Sequence, residues 1–136
     1  MRQNLVKRAC REGRVQVGSF ITTNDPLCAQ IMANSGFEWV LVDMEHGPVP
    51  ITALQTAVTA IRTTATEPFV RAAWNASAAI QTALDSGVSG IMIPMINTRA
   101  DAESAVRDKF SATSRSIKAW PSCPDSSCTR EDSISF

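Results

Sequence analysis

Short, nearly continuous apolar runs alternate along this chain with longer segments whose apolar residues recur every three or four positions. The runs lie at residues 15–21, 39–42, 67–74 and 90–96. Residues 39–42 in particular show no polar alternation, the texture of a parallel strand covered on both faces. The intervening segments 27–34, 51–63, 75–85 and 100–110 predict helices. In the second of them Leu54, Val58 and Ile61 fall on one face. Gly36 and Gly87 follow two of these segments, where a left-handed residue ends a helix, and the endings rhyme as Asn34-Ser-Gly-Phe37 and Asp85-Ser-Gly-Val88. A further surface helix over 4–12 closes on Gly13.

The pattern is β-α repeated four times, with strands beginning near residues 15, 38, 68 and 90. Units of this spacing predict right-handed crossovers and a parallel sheet. Two α/β architectures satisfy it, an open doubly wound sheet and part of an eight-stranded barrel. A dinucleotide fold requires Gly-x-Gly-x-x-Gly after its first strand, and Gly18-Ser-Phe-Ile-Thr-Thr23 does not provide it. The expected fold class is therefore the N-terminal half, about four β/α units, of a TIM-type (β/α)8 barrel over residues 1–110. From Ser111 the texture changes. Residues 111–136 hold eight serines and no sustained periodicity, and predict an irregular tail.

Thirteen basic and thirteen acidic residues cancel, so no net field recommends nucleic acid or an anionic membrane, and small-molecule chemistry is expected. Four cysteines without a secretory hydrophobic segment predict a reducing, cytoplasmic setting. Cys123 and Cys128 lack the further ligands of a structural zinc site. The basic residues within the first fourteen raise a mitochondrial targeting reading, which the capped surface helix at 4–12 explains more simply.

Chemistry concentrates at the end of the second run, where Asp43, Glu45 and His46 arrive together at the tip of a strand. In parallel α/β folds the loops beyond the strand tips face a common mouth. Imidazole is the side chain suited to proton transfer near neutral pH, and Asp43, three residues before His46, the chain's one histidine, could orient it as a general base or simply form a turn. Glu45 reads equally as a metal ligand or a solvated side chain. Arg71 lies inside an apolar strand and needs an anion, either a ligand or a structural ion pair with Asp43 or Glu45. Asp85 ends a helix, where its charge opposes the dipole and invites a contact with substrate or a partner subunit. The three lysines, Lys7, Lys109 and Lys118, fall outside the strands, so Schiff-base chemistry has no candidate nucleophile.

Three linked motifs carry a resemblance: Gly36-Phe-Glu-Trp-Val-Leu-Val-Asp-Met-Glu-His-Gly-Pro48, Pro68-Phe-Val-Arg-Ala-Ala-Trp-Asn75 and Ala83-Leu-Asp-Ser-Gly-Val-Ser-Gly-Ile-Met-Ile-Pro-Met95. In order and spacing they are similar to the HpcH/HpaI aldolase and citrate lyase family, and within it to the metal-dependent pyruvate aldolases. The resemblance implies a β/α barrel and retro-aldol cleavage of a 4-hydroxy-2-oxo or 2-keto-3-deoxy acid to pyruvate and an aldehyde. It implies a divalent cation (Mg, Mn or Co) as Lewis acid, and homo-oligomers, commonly hexamers. Arg71 matches the arginine that binds the keto oxygen, and Asp43 and His46 match the acid/base dyad. Asp85 matches a residue at the aldehyde end, and Glu45 a position near the metal with no role of its own.

The family's metal ligands, a Glu and an Asp, come from later strands that this sequence does not contain. The expectation is a shortened aldolase with a frame-shifted or alternatively spliced end, marginally stable or associating, and binding metal weakly. The alternative is a catalytically inactive fragment that associates with a full-length paralogue. An unrelated α/β hydrolase built on Asp43 to His46 would leave the second and third motifs as coincidences.

Overall fold

The computed structural model describes residues 4–111. The irregular tail expected over 111–136, with Cys123, Cys128 and Lys118, lies outside them but for Ser111, which ends a helix. The elements run α1 (Leu5–Arg11), β1 (Gly18–Ile21), α2 (Pro26–Ala33), β2 (Trp39–Asp43), α3 (Ile51–Ile61), β3 (Glu67–Arg71), α4 (Ser77–Asp85), β4 (Gly90–Met92) and α5 (Arg99–Ser111). Local chemistry sets several boundaries. Asn4 and Asp25 accept the N–H groups of Lys7 and Leu27 and so cap α1 and α2, and Pro26 occupies the first helical turn, where a missing N–H costs nothing. The first strand begins three residues later than its apolar run. Val15 and Val17 are exposed; the Val17 N–H donates to the Glu38 carboxylate at 2.8 Å, while its carbonyl accepts the Glu38 backbone N–H at 2.9 Å.

All four strands are parallel and lie in chain order, β1-β2-β3-β4. Period-2 alternation gives the sheet two faces of different character. Val40, Val42, Val70 and Ile91 point to one face and pack with Ala29 and Ala33 of α2, Leu54, Val58 and Ile61 of α3, Ile80 and Ala83 of α4, and Ala105 of α5. Every crossover helix thus covers the same face. A doubly wound sheet reverses its strand order to place helices on both, so the half-barrel expectation holds and the open sheet is excluded. Helices this short are marginal alone and owe their order to that burial.

The opposite, concave face carries Phe20, Trp39, Leu41, Asp43, Glu67, Phe69, Arg71 and Met92. Trp39 stacks on Phe69 with centroids 5.8 Å apart, and Phe20 meets Trp39 edge-on at 6.2 Å. Gly18 is required beneath this aromatic floor, since a Cβ there would lie 2.0 Å from the Trp39 ring. Val6 of α1 completes the cluster with Leu41 and Phe69, so α1 covers the end of the face at which the strands begin.

A buried carboxylate pins α1 in place. Glu67, 1% exposed, accepts the Leu5 N–H at 3.3 Å and the Ser89 hydroxyl, while Asn4 Nδ2 donates to the Ser89 carbonyl at 2.9 Å. Arg62 donates to the Gly87 carbonyl and to Ser89 Oγ, which joins the α3 end to the same network. Glu67→Ala is expected to cost about 1–3 kcal/mol, the penalty for stranding these partly buried donors. Urea unfolding measures the loss. Hydrogen exchange should quicken first at α1 amides and leave the β2–β3 ladder unchanged; uniform quickening would show that Glu67 does not act through α1.

Candidate active site

β2 and β3 pair so that Asp43 and Arg71, the last residue of each, are register partners on the concave face. The Asp43 carboxylate is 1% exposed. Arg71 Nε donates to Asp43 Oδ1 at 2.9 Å and Nη2 donates to Oδ2, a fork that matches both oxygens. Arg71 Nη1 lies 3.1 Å from Glu45 Oε2, and the guanidinium carbon sits 5.5 Å from the Phe20 ring centroid. The structural ion pairs considered from sequence are both present.

Asp43 also shapes the loop beyond its own strand. Its Oδ1 accepts the backbone N–H groups of Glu45 at 3.0 Å and His46 at 3.2 Å. Gly47 then passes so close to the core that a Cβ would lie 2.6 Å from the Asp43 carbonyl oxygen and 2.7 Å from that of Thr22. Only glycine lets the loop turn there.

These contacts set the protonation of the pair. Burial by itself raises the Asp43 pKa. The bond from Arg71, the backbone bonds from His46 and Glu45, and the Arg71 charge outweigh burial and hold the carboxyl below the usual aspartate range. Hydrogen bonding to Asp43 raises the Arg71 pKa further, against the opposing effect of burial. Both side chains are ionised at neutral pH.

The other residues singled out from sequence are placed less uniformly. His46 reaches Asp43 only through its backbone. Its imidazole is 65% exposed, with Nε2 at 3.6 Å from Glu45 Oε2, so Glu45 rather than Asp43 is the carboxylate beside the ring. Asp85 is exposed on the last residue of α4, at the end of the sheet where the strands begin, and is not part of the cluster within one chain. Sequence reading assigned Glu45 no role and did not notice Glu67. Alternation through 67, 69 and 71 contains the missing signal, since it puts the Glu67 carboxylate on the same face as Arg71.

No group of three His, Cys, Asp or Glu side chains is arranged to hold a metal ion among the described residues. Both Asp43 oxygens and one Glu45 oxygen are already engaged by Arg71. A recess of about 580 Å³, lined in part by Arg8, Arg14, Phe37 and Glu38, lies below the sheet beside α1, away from the Arg71 cluster. No helix among the described residues is long and apolar enough to cross a membrane.

Parallel β/α units with a charged cluster beyond the strand tips define a β/α-barrel protein whose mouth carries its ionisable groups. The chain belongs to the HpcH/HpaI aldolase/citrate lyase family, whose model matches residues 16–118. It is 35% identical over 104 residues to a hydroxypyruvate/pyruvate aldolase of Pseudomonas aeruginosa, covering 76% of this chain and 39% of that one. It is 33% identical over 105 residues to a 4-hydroxy-2-oxo-heptane-1,7-dioate aldolase of Escherichia coli, covering 77% and 40%. The fold matches the crystal structure of an HpcH/HpaI aldolase/citrate lyase family protein from Burkholderia cenocepacia with TM-score 0.73 and 29% identity, covering 78% of this chain and 42% of that one. It also matches the citrate synthase SbnG with TM-score 0.72 and 29% identity, covering 76% and 42%. The chain thus spans about two fifths of the length of the relatives it matches.

The Asp43 pair yields a pH test with a defined sign. The folded carboxyl binds its proton less readily than the unfolded one, so the unfolded state takes up more protons as pH falls. The pair's contribution is full above the ordinary aspartate range, about pH 4, and is lost as pH falls through the lower folded value. Asp43→Asn should be destabilised by about 3–5 kcal/mol at neutral pH, because Arg71 is left without its partner. Its stability should also fall less steeply between pH 6 and acid than that of the natural chain, by about the same argument. Denaturant unfolding across pH checks both; parallel curves would show that Asp43 is not the linked group.

Proposed function

We propose that this chain carries the oxyanion-binding half of a metal-dependent pyruvate aldolase, which cleaves a 4-hydroxy-2-oxo acid to pyruvate and an aldehyde. The observation that carries the reading is the orientation of Arg71. Two of its three nitrogens are locked on Asp43 and the third faces Glu45, so three of the five guanidinium N–H groups are directed within the cluster. The remaining N–H on each of Nη1 and Nη2 stays available at the rim for a keto oxygen. Retro-aldol cleavage leaves an enolate on that oxygen, and a fixed cation aimed at it lowers the barrier because its dipoles need no reorganisation. His46 is exposed beside Glu45 and suits proton exchange with the 4-hydroxyl or the enolate carbon, directly or through water. These roles follow the family likeness and the aldolase names of the relatives.

The metal-dependent reading would require a divalent cation to supply Lewis-acid charge withdrawal. The described residues do not fit that role, since the carboxylates at the rim are committed to Arg71. This mismatch favours a second reading for the 136 residues on their own, a catalytically silent chain. In the first reading the metal donors come from further strands, and Asp85 meets substrate only from another subunit.

A chimera separates the readings. Residues 16–110 would replace the matched segment of the Escherichia coli aldolase, and pyruvate release would be followed with lactate dehydrogenase, with and without Mg²⁺, Mn²⁺ or Co²⁺. Metal-dependent release is expected from the chimera and none from the 136-residue chain. Arg71→Lys should lower chimera turnover about 10²-fold or more, since a point charge cannot replace the fork. A folded chimera without release would overturn the aldolase reading; release by the chain alone would overturn the silent one.

A further inference from the structure

We propose that Glu45 is the positioning residue of the rim: it holds His46 with Nε2 as the protonated nitrogen, so that Nδ1 carries the lone pair that exchanges protons. The inference rests on the aldolase reading for the source of that proton, and on the geometry of the rim for the rest.

Asp43 is not placed to orient the ring. Its Oδ1 accepts Arg71 Nε and the backbone N–H groups of Glu45 and His46, and its Oδ2 accepts Arg71 Nη2. The Asp43 side chain is 1% exposed and the imidazole 65%, so the two lie at different depths.

Glu45 stands between these levels. Its side chain is 18% exposed, and a single oxygen, Oε2, lies 3.1 Å from Arg71 Nη1 and 3.6 Å from His46 Nε2. One carboxylate oxygen thus faces both the guanidinium and the imidazole. A ring lone pair turned toward a carboxylate is repelled by it, whereas an N–H is attracted. Nε2 therefore carries the hydrogen of the neutral ring, and Nδ1 is the acceptor. At 3.6 Å the contact is longer than a hydrogen bond and acts through charge, so it strengthens when the ring becomes cationic.

Charge balance gives this pairing a use. Two carboxylates against one guanidinium leave Asp43, Glu45 and Arg71 with a negative charge in excess. In retro-aldol cleavage His46 Nδ1 takes the 4-hydroxyl proton, and the C3–C4 bond breaks as the C4 carbonyl forms. The electron pair of the broken bond passes through C3 and C2 to the keto oxygen beside Arg71. The imidazolium offsets the excess charge through Glu45, and return of its proton to C3 of the enolate gives pyruvate and leaves the ring neutral.

His46 is the chain's one histidine, so its ring nitrogens give a single set of long-range ¹H–¹⁵N couplings in the 136-residue chain. Under mildly alkaline conditions, where imidazoles are neutral, the Nε2–H tautomer is expected to dominate. Glu45→Ala should lower the ratio of Nε2–H to Nδ1–H about threefold, the size of an exposed charge contact. Glu45→Gln should recover most of the ratio through its amide oxygen, and about 1 M salt should lower it in the natural chain. If Glu45→Ala fails to fold, that salt dependence still decides. In the chimera, Glu45→Ala should lower kcat about tenfold or more and leave KM within about twofold. Nδ1–H as the main tautomer of the natural chain, a ratio that neither substitution nor salt changes, or an unchanged kcat would each overturn the proposal. The tautomer is read without substrate, so its failure is distinct from a chimera that releases no pyruvate, which overturns the aldolase reading.

Discussion

The ion pair between Asp43 and Arg71 is the contact on which the rim of this half-barrel depends. Burying two charges side by side is costly, and their attraction offsets that cost only with good geometry and satisfied remaining lone pairs. Here the fork of Arg71 meets both carboxylate oxygens, and one of those oxygens also accepts two backbone N–H groups of the following loop. One carboxylate therefore orients the arginine and folds the loop that carries Glu45 and His46. Loss of Asp43 would release all three groups together, and the cluster is better described as one unit than as separate residues.

The concave face repeats this design at its other end with different partners. Glu67 and Arg71 lie on the same face of β3, separated by Phe69, and the stacked Trp39–Phe69 pair divides a charged rim from a buried floor. At the rim a cation answers the carboxylate. On the floor the Glu67 carboxylate receives an amide at the start of α1 and the Ser89 hydroxyl, so a helix end and neutral dipoles do the work of a cation. The floor partners close the bottom of the face, while the rim partners leave guanidinium hydrogens directed outward.

Much of this arrangement was legible in the sequence. Four apolar runs located four strands, and missing glycine-rich phosphate chemistry favoured the barrel that the one-sided helical layer bears out. Asp43 and Arg71 were legible as a pair because an arginine inside an apolar strand needs an anion, and Asp43 ends the preceding strand. The His46 environment was not, since spacing along the chain does not say which carboxylate a loop side chain faces once Asp43 spends its oxygens on backbone amides. Glu67 was missed for a related reason. A glutamate opening a strand reads as a solvated end unless a distant segment, here the start of α1, is known to return and cover it.

Division of labour along the chain explains how a site can be so well ordered while no metal-binding set is found among the described residues. The charged groups at the rim come from two adjacent strands and one loop, so their geometry is complete as soon as β2 pairs with β3. Metal donors in a barrel mouth need side chains converging from several directions, and the described residues, a sheet turned through half a circle, hold no group of three such donors. Among the described residues the four strands leave two edges without a strand partner and Arg71 beside an open side of the mouth, so whatever pairs with those edges determines what stands opposite the arginine.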